Sequence, residues 1–333
     1  MIALALPGQV RSVRAGSVSV PRRAASGVRS ITATVTSSPR RAVQVSLGLL
    51  WLLDAGLQFQ HYMFTPSFVT GTLLPTARGN PEVVAGPLKW VDHGILHHLL
   101  AYNLAFASLQ ALIAVGLWLR PTVKVALVSS VAWGLMVWWF GEGLGGVLGG
   151  ASPLSGAPGA VVLYVLVAVL AWPGGREAGG SVATSGPLGR VVPCLAWAGL
   201  WESFTYLLLL PANRAPGALS AMLAGEAAGE PGWVASLDHD LARLLAGHGA
   251  TVSAVLALAC ALVAVSVLSP VLVRPGLVAA GVVAAAIWVG EDFGTIFTGS
   301  GTDPNSGPIL ALLAATFWPL RKGAPTREDG APR

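Results

Sequence analysis

The sequence predicts an all-α polytopic membrane bundle, with eight transmembrane helices arranged as two parallel four-helix repeats. Its 333 residues are 54% hydrophobic and 11% charged, with mean hydropathy +0.68, whereas a soluble protein carries about 25% charged residues. Apolar stretches follow one another at spacings suited to membrane spans, and short motifs recur at offsets near 150 residues. This composition excludes a soluble enzyme and a nucleic-acid binder.

In order along the chain, residues 1–41 hold seven Arg and no acid. Their opening apolar run, Ile2 to Leu6, is too short for a signal-peptide core. The segment reads as a disordered basic cytoplasmic tail, though an Arg- and Ser-rich, acid-poor stretch also resembles a transit peptide. The first repeat is expected over 42–173, with spans at 42–63, 95–119, 123–141 and 158–173. A Gly-rich cytoplasmic linker, 174–190, leads to the second repeat, 191–320, with spans at 191–210, 244–268, 275–297 and 307–320. Residues 321–333 form a second cytoplasmic tail. Pro121, Pro158, Pro275 and Pro308 stand at or near helix starts, where a missing N–H costs little. Trp51, Trp90, Trp118, Trp172 and Trp318 lie toward segment ends, as interfacial Trp does.

Charge gives the orientation. With eight spans, one side holds 16 of the 20 Lys and Arg, and the other only Arg78, Lys89, Arg214 and Arg243. Of the 15 acids, only Glu177, Glu328 and Asp329 fall on the basic side. The positive-inside rule then places both termini in the cytoplasm and the chain in the plasma membrane.

The chain repeats itself. Trp139-Phe140-Gly141-Glu142 returns as Trp288-Val289-Gly290-Glu291, offset by 149, and Pro158 returns as Pro308, offset by 150. His98 and Asn103 correspond to His248 and Ser253, again offset by 150. A unit of four spans is even, so both copies insert with the same orientation, as parallel repeats. The intervening loops 64–94 and 211–243 are long enough to carry function. Leu73-Leu74-Pro75 and the stretch from Leu219 to Leu223 predict short helices over the bundle mouth.

All six His fall at the outer face, as do Asp92, Asp238, Asp240, Asp292 and Asp303. The sharper feature is the duplicated Gly-Glu motif, since a carboxylate at membrane depth is costly and a functional candidate by default. The spans that follow it are short and Gly/Pro-interrupted in both halves, a pointer to transporter sites. Asp54 and Glu202 sit inside the first and fifth spans and need a partner or a proton. The candidate site is therefore Asp54, His98 and Glu142 in one copy and Glu202, His248 and Glu291 in the other. Such a set suits a proton relay, a divalent metal or a quinone head group. His93 and His97, spaced i, i+4, share a helix face and are candidate metal ligands together with His98 and Asp292. Cys194 and Cys260 lie 66 residues apart in apolar runs and form no redox or zinc motif. No phosphate-binding glycine loop, nucleophile elbow or HExxH is present, so hydrolase and ATPase readings have no support.

A four-span unit with an acid in its first helix and a Gly-rich outer loop after its third resembles the DoxX-like group of small membrane proteins. The run Gly141-Glu142-Gly143-Leu144-Gly145-Gly146 and the loop from Thr302 to Pro308 are similar to stretches in integral membrane proteins of high-GC actinobacteria. The resemblance covers about residues 42–320 and implies a redox or quinone-associated accessory subunit; no catalytic residue carries over. Three function classes remain. One is a protein that binds or transports a small solute, metal ion or lipid, its enzymatic activity undecided. The second is the redox subunit, and the third a structural partner of a membrane complex or a homo-oligomer. The lipid bilayer is a partner in each.

Overall fold

The computed structural model describes residues 38–174, 180–227 and 230–320, and among these it is helical throughout, with no strand. The basic tail expected over 1–41 lies outside the described residues as far as position 37, as do 175–179, 228–229 and the terminal 321–333.

The first helix, α1 (Pro39–Leu57), begins inside what composition reads as tail. Ser38 caps it, accepting the Arg41 amide at 3.3 Å, and Pro39 opens the first turn. Val43, Leu47, Trp51 and Asp54 form its buried stripe at three- and four-residue spacing. Short 3-10 and π turns follow (His61–Phe64, Phe68–Leu73, Leu74–Ala77), then α2 (Glu82–His97), α3 (Leu99–Trp118), α4 (Val123–Phe140) and α5 (Ala160–Leu170). The second half runs α6 (Val191–Leu209), α7 (Ala218–Glu226), α8 (Gly232–Leu244), α9 (Gly249–Ser266), α10 (Val273–Gly290) and α11 (Ser306–Thr316). The short helices expected near Leu74 and Leu219 are present. The long loops between spans are themselves largely helical.

Among the described residues five helices, α3, α4, α6, α9 and α10, are long and apolar enough to cross a membrane. The spans expected at 95–119 and 244–268 divide: α2 ends at His97 and α8 at Leu244, and new helices begin at Leu99 and Gly249. Neither α5 nor α11 qualifies. Each has 11 residues, about 17 Å of helix, roughly half the apolar thickness of a bilayer. Both are apolar all round and buried at the centre, with Leu163, Tyr164, Val167, Ile309, Leu310 and Leu313 essentially inaccessible. A half-length helix is tolerable there because protein, not lipid, covers its open end.

Helix pairing has the same pattern in the two halves. α1 packs on α3, α4 on α5 and α3 on α4, and likewise α6 on α9, α10 on α11 and α9 on α10; α5 and α11 meet between the halves, and the close pairing of α7 with α8 belongs to the second half alone.

Buried arginines tie the basic end. The Arg40 guanidinium donates to the carbonyls of Leu170 and Trp172 at 2.9 Å, to Val182 O at 2.8 Å and to Ser185 Oγ at 3.1 Å. Arg41 donates to Leu117 O at 2.6 Å and to Trp118 O. Each thus satisfies carbonyls that a helix C-terminus leaves without partners. Linker residues 180–183 are tied to the end of α11 and the residues after it: Ala183 N donates to Thr316 O at 2.9 Å and Leu320 N to Gly180 O at 2.8 Å.

Candidate functional site

A cavity of about 260 Å³ lies in the first half, walled by α1, α2, α3, α4 and the turns around Phe68–Leu73. Three acids line it: Asp54, Glu142 and Asp303.

Asp54 is buried in the α1 stripe, where the Tyr164 hydroxyl of α5 donates to Oδ1 at 3.2 Å. The Trp51 ring packs edge-on against Tyr164, with centroids 4.8 Å apart. Glu142 follows the end of α4. Its Oε1 accepts the Val161 amide at 3.2 Å, so it caps the first turn of α5, while Oε2 has no partner. Asp303 arrives from the loop before α11, in the other half of the chain. Its Oδ1 accepts the Asn305 amide at 2.7 Å and its Oδ2 the Thr302 hydroxyl at 2.9 Å. Burial pushes the Asp303 carboxyl above the ordinary range. Burial, and then the charge of Asp303, push Glu142 well up.

The Gly-Glu motif builds the same local structure twice. After Glu142 the backbone runs left-handed from Gly143 to Gly146 (φ 56–66°), and after Glu291 from Asp292 to Thr295 (φ 48–74°). This reversal turns the chain back so that each glutamate meets the next helix. Glu291 Oε2 accepts the Ser306 amide at 3.0 Å, as Glu142 does that of Val161. Tryptophan indoles brace both turns, Trp138 donating to Pro158 O at 2.6 Å and Trp288 to Pro304 O at 2.9 Å. Only glycine fits at Gly145, where a Cβ would meet the Pro158 carbonyl. Burial raises Glu291 to about 8.

Of the candidate set, Asp54 and Glu142 share the cavity. His98, at the α2–α3 junction, and His248, before α9, are both exposed, and neither lines it. Glu202 is exposed on the outside of α6. Glu291 is buried in its own turn and does not line the cavity. The symmetric pair of three-residue sites therefore does not assemble. His93 and His97 do meet, Nε2 to Nε2 at 3.1 Å, on an exposed face. Asp292 lies elsewhere, buried beside Asp238; its carboxyl is raised to about 8, by burial first and then by that neighbour. Among the described residues no group of three His, Cys, Asp or Glu is placed to hold a metal ion.

The sequence reading missed the site roles of Asp303, Tyr164, Gln58 and Gln110. The loop from Thr302 to Pro308 stood out as a motif, but its place against the first half does not follow from local sequence. The aromatic walls, Phe106 and Trp133 among them, read only as span residues.

Fold and site together define a helical protein with five helices long and apolar enough to cross a membrane and an acidic, aromatic-walled cavity within the bundle. No family model, curated protein or solved structure matches the chain, so the chemistry of the site carries the functional reading.

Proposed function

We propose that the chain is a multi-pass plasma-membrane protein that binds, and in the fuller reading transports, a small solute through the cavity bearing Asp54, Glu142 and Asp303. The single observation behind this is a cavity of about 260 Å³ with three acids on its walls. Burying carboxyl groups around empty space costs stability that a purely structural bundle has no reason to bear. Tyr102 of α3 and Met136 of α4 line the cavity and are themselves 39% and 43% exposed, and we take the seam between them as its entrance.

The eight-segment, two-repeat arrangement belongs to the same reading. Its supports are the matched helix pairings, the two left-handed turns and the two glutamate caps. In it α1, α5 and α11 act as membrane segments shorter or more polar than ordinary spans, and both ends of the described chain lie on the cytoplasmic, arginine-rich side. Repeats of this kind place a solute site within the bundle at a discontinuous helix. The turn from Glu142 to Gly159 ahead of half-length α5 is such a place.

The test is chemical access. In a background lacking both native cysteines (Cys194→Ala, Cys260→Ser), Gln110→Cys is treated with a small maleimide on the detergent-solubilised full chain. Labelling at rates typical of water-accessible thiols is the expected result. A Gln110→Cys protein that folds and stays unlabelled, while an exposed control outside the spans such as Lys89→Cys reacts, overturns the reading.

A further inference from the structure

We propose that the cavity takes a protonated amine with an apolar body, its ammonium held among Glu142, Asp303 and Asp54 and its body against the aromatic walls. This rests on the reading of the cavity as a solute site and adds the class of solute.

The first argument is charge. Asp54, Glu142 and Asp303 line the cavity, and no Lys, Arg or His does. An anion entering it meets repulsion from every ionisable carboxyl and no counter-charge. The second is hydrogen-bond sense. Gln58 and Gln110 are buried, at 5% and 6% exposure, and both line the cavity. The Oε1 atom of each has no partner, and neither has Glu142 Oε2. The two amide oxygens are acceptors, and Glu142 Oε2 becomes one when its carboxyl is ionised by the ligand's charge. Trp133 Nε1 is the only unpaired buried side-chain donor on the same walls. A ligand that satisfies such a lining must donate, and an ammonium carries three donors and no acceptor. A quinone offers only carbonyl acceptors and would leave these oxygens unpaired.

The third argument is the wall. Trp51, Phe68, Tyr102, Phe106, Trp133 and Phe140 line the cavity, with the Phe106 and Trp133 rings 5.3 Å apart. Aromatic faces stabilise a nearby cation and bury an apolar body. The volume of about 260 Å³ falls just below the roughly 300–1,000 Å³ of drug-sized sites, which suits a small monoamine. Entry between Tyr102 and Met136 suits a molecule that partitions into lipid.

Binding of such a ligand exchanges charge for charge. Burial raises the Asp303 and Glu142 carboxyls, so a cation that arrives beside them favours the ionised form. An arriving ammonium forms N–H···O⁻ bonds as a carboxyl O–H breaks, and that proton leaves to solvent, so the net charge of the site is unchanged. Asp54 on α1, Tyr102 on α3, Tyr164 on α5, Glu142 and Asp303 are the titratable groups that face the exchange.

The test uses the full chain in detergent and three probes of one shape: 2-phenylethylammonium, 2-phenylethanol and 3-phenylpropionate, titrated by calorimetry. The ammonium is expected to bind at least tenfold tighter than the alcohol, with the carboxylate weakest. In the double variant Glu142→Gln, Asp303→Asn, both backbone-capping oxygens are retained and the ammonium is expected to fall to the level of the alcohol. Equal binding of ammonium and alcohol, preference for the carboxylate, or undiminished ammonium binding by the double variant overturns the inference. The two failures are separable. A preparation whose Gln110→Cys form labels but whose wild type shows no ammonium preference sinks the amine assignment alone; one that does not label sinks the cavity reading as well.

Discussion

Tyr164 donates to Asp54 across 3.2 Å in the middle of the first half, and the positions 150 and 146 residues further on hold Phe204 and Leu310, both fully buried. One half thus carries a polar pair where the other carries an apolar one. The flanking tryptophans, Trp51 and Trp201, correspond at the same offset of 150 and are both inaccessible. At these paired positions the first half is polar and lies beside the acidic cavity, whereas the second is filled by apolar side chains.

That relationship predicts a double-mutant cycle. Tyr164→Phe strands a buried carboxyl and is expected to cost about 1–3 kcal/mol. Asp54→Leu with Tyr164→Phe makes the pair apolar, as in the second half but with the two side chains interchanged, and replacing both partners by apolar groups is close to neutral. Thermal unfolding of the four proteins in one detergent measures the cycle. A double variant as damaged as the sum of the singles would show that the pair does more than satisfy itself.

Glu142 and Glu291 act as caps as well as acids, and substitution separates the two roles. A glutamine keeps an oxygen for the Val161 or Ser306 amide; an alanine does not. Glu291→Ala is expected to destabilise the protein by about 1 kcal/mol through loss of the α11 cap, and Glu291→Gln by much less. Ligand binding is expected to survive both, because Glu291 does not line the cavity. Loss of binding in Glu291→Gln at unchanged thermal stability would give the second turn a direct role.

Much of this architecture is legible in the sequence, and the part that is not has a geometric cause. Apolar runs, the Gly-Glu turn and the sorting of Arg and Lys to one end are properties of composition and local pattern. Depth along a span is legible too, and it makes Asp54 and Glu202 look equivalent. Their offset is 148, however, while the register set by Trp51 and Trp201 is 150. Two residues rotate a helical position by about 200°, so Asp54 faces the bundle and Glu202 faces out. Exposed His98 and His248 fail for a related reason: a place near a helix end says nothing of the direction in which the side chain points. Asp303 crosses from one half to the other, a long-range contact that no periodicity encodes.

Asp92 supplies a pH dependence outside the spans. It lies on α2 with both carboxylate oxygens buried and unpaired, and burial raises it to about 7 from an ordinary 3.8. A folded state that binds its proton more tightly than the unfolded chain is favoured at low pH. This contribution is therefore complete below about pH 4 and is lost as pH rises through about 7. Asp92→Asn is expected to flatten the stability profile between these limits and to raise the unfolding midpoint at pH 8. An unchanged profile would show that Asp92 finds a partner in the membrane-bound protein.

Arg40 makes the last prediction, at the other end of the molecule. One guanidinium reaches three carbonyls and a hydroxyl: Leu170 at the end of α5, Trp172 just beyond it, and Val182 and Ser185 in the linker. It thereby fixes the foot of the half-length helix that Glu142 caps at its head. Lysine carries the same charge, but as a point charge with three donors on a flexible stem, and it cannot span the same fork. Arg40→Lys is expected to cost about 1.5–3 kcal/mol, the scale of charged hydrogen bonds left unmade. It is also expected to speed tryptic cleavage at Arg190, which follows the 180–185 segment held by Arg40 and by the Ala183 bond to Thr316. Limited trypsin digestion of the two proteins, read by mass spectrometry, measures both release and site. Cleavage at Arg190 at equal rates would show that the linker is held by α11 alone, and that the charge of Arg40 matters there more than its reach.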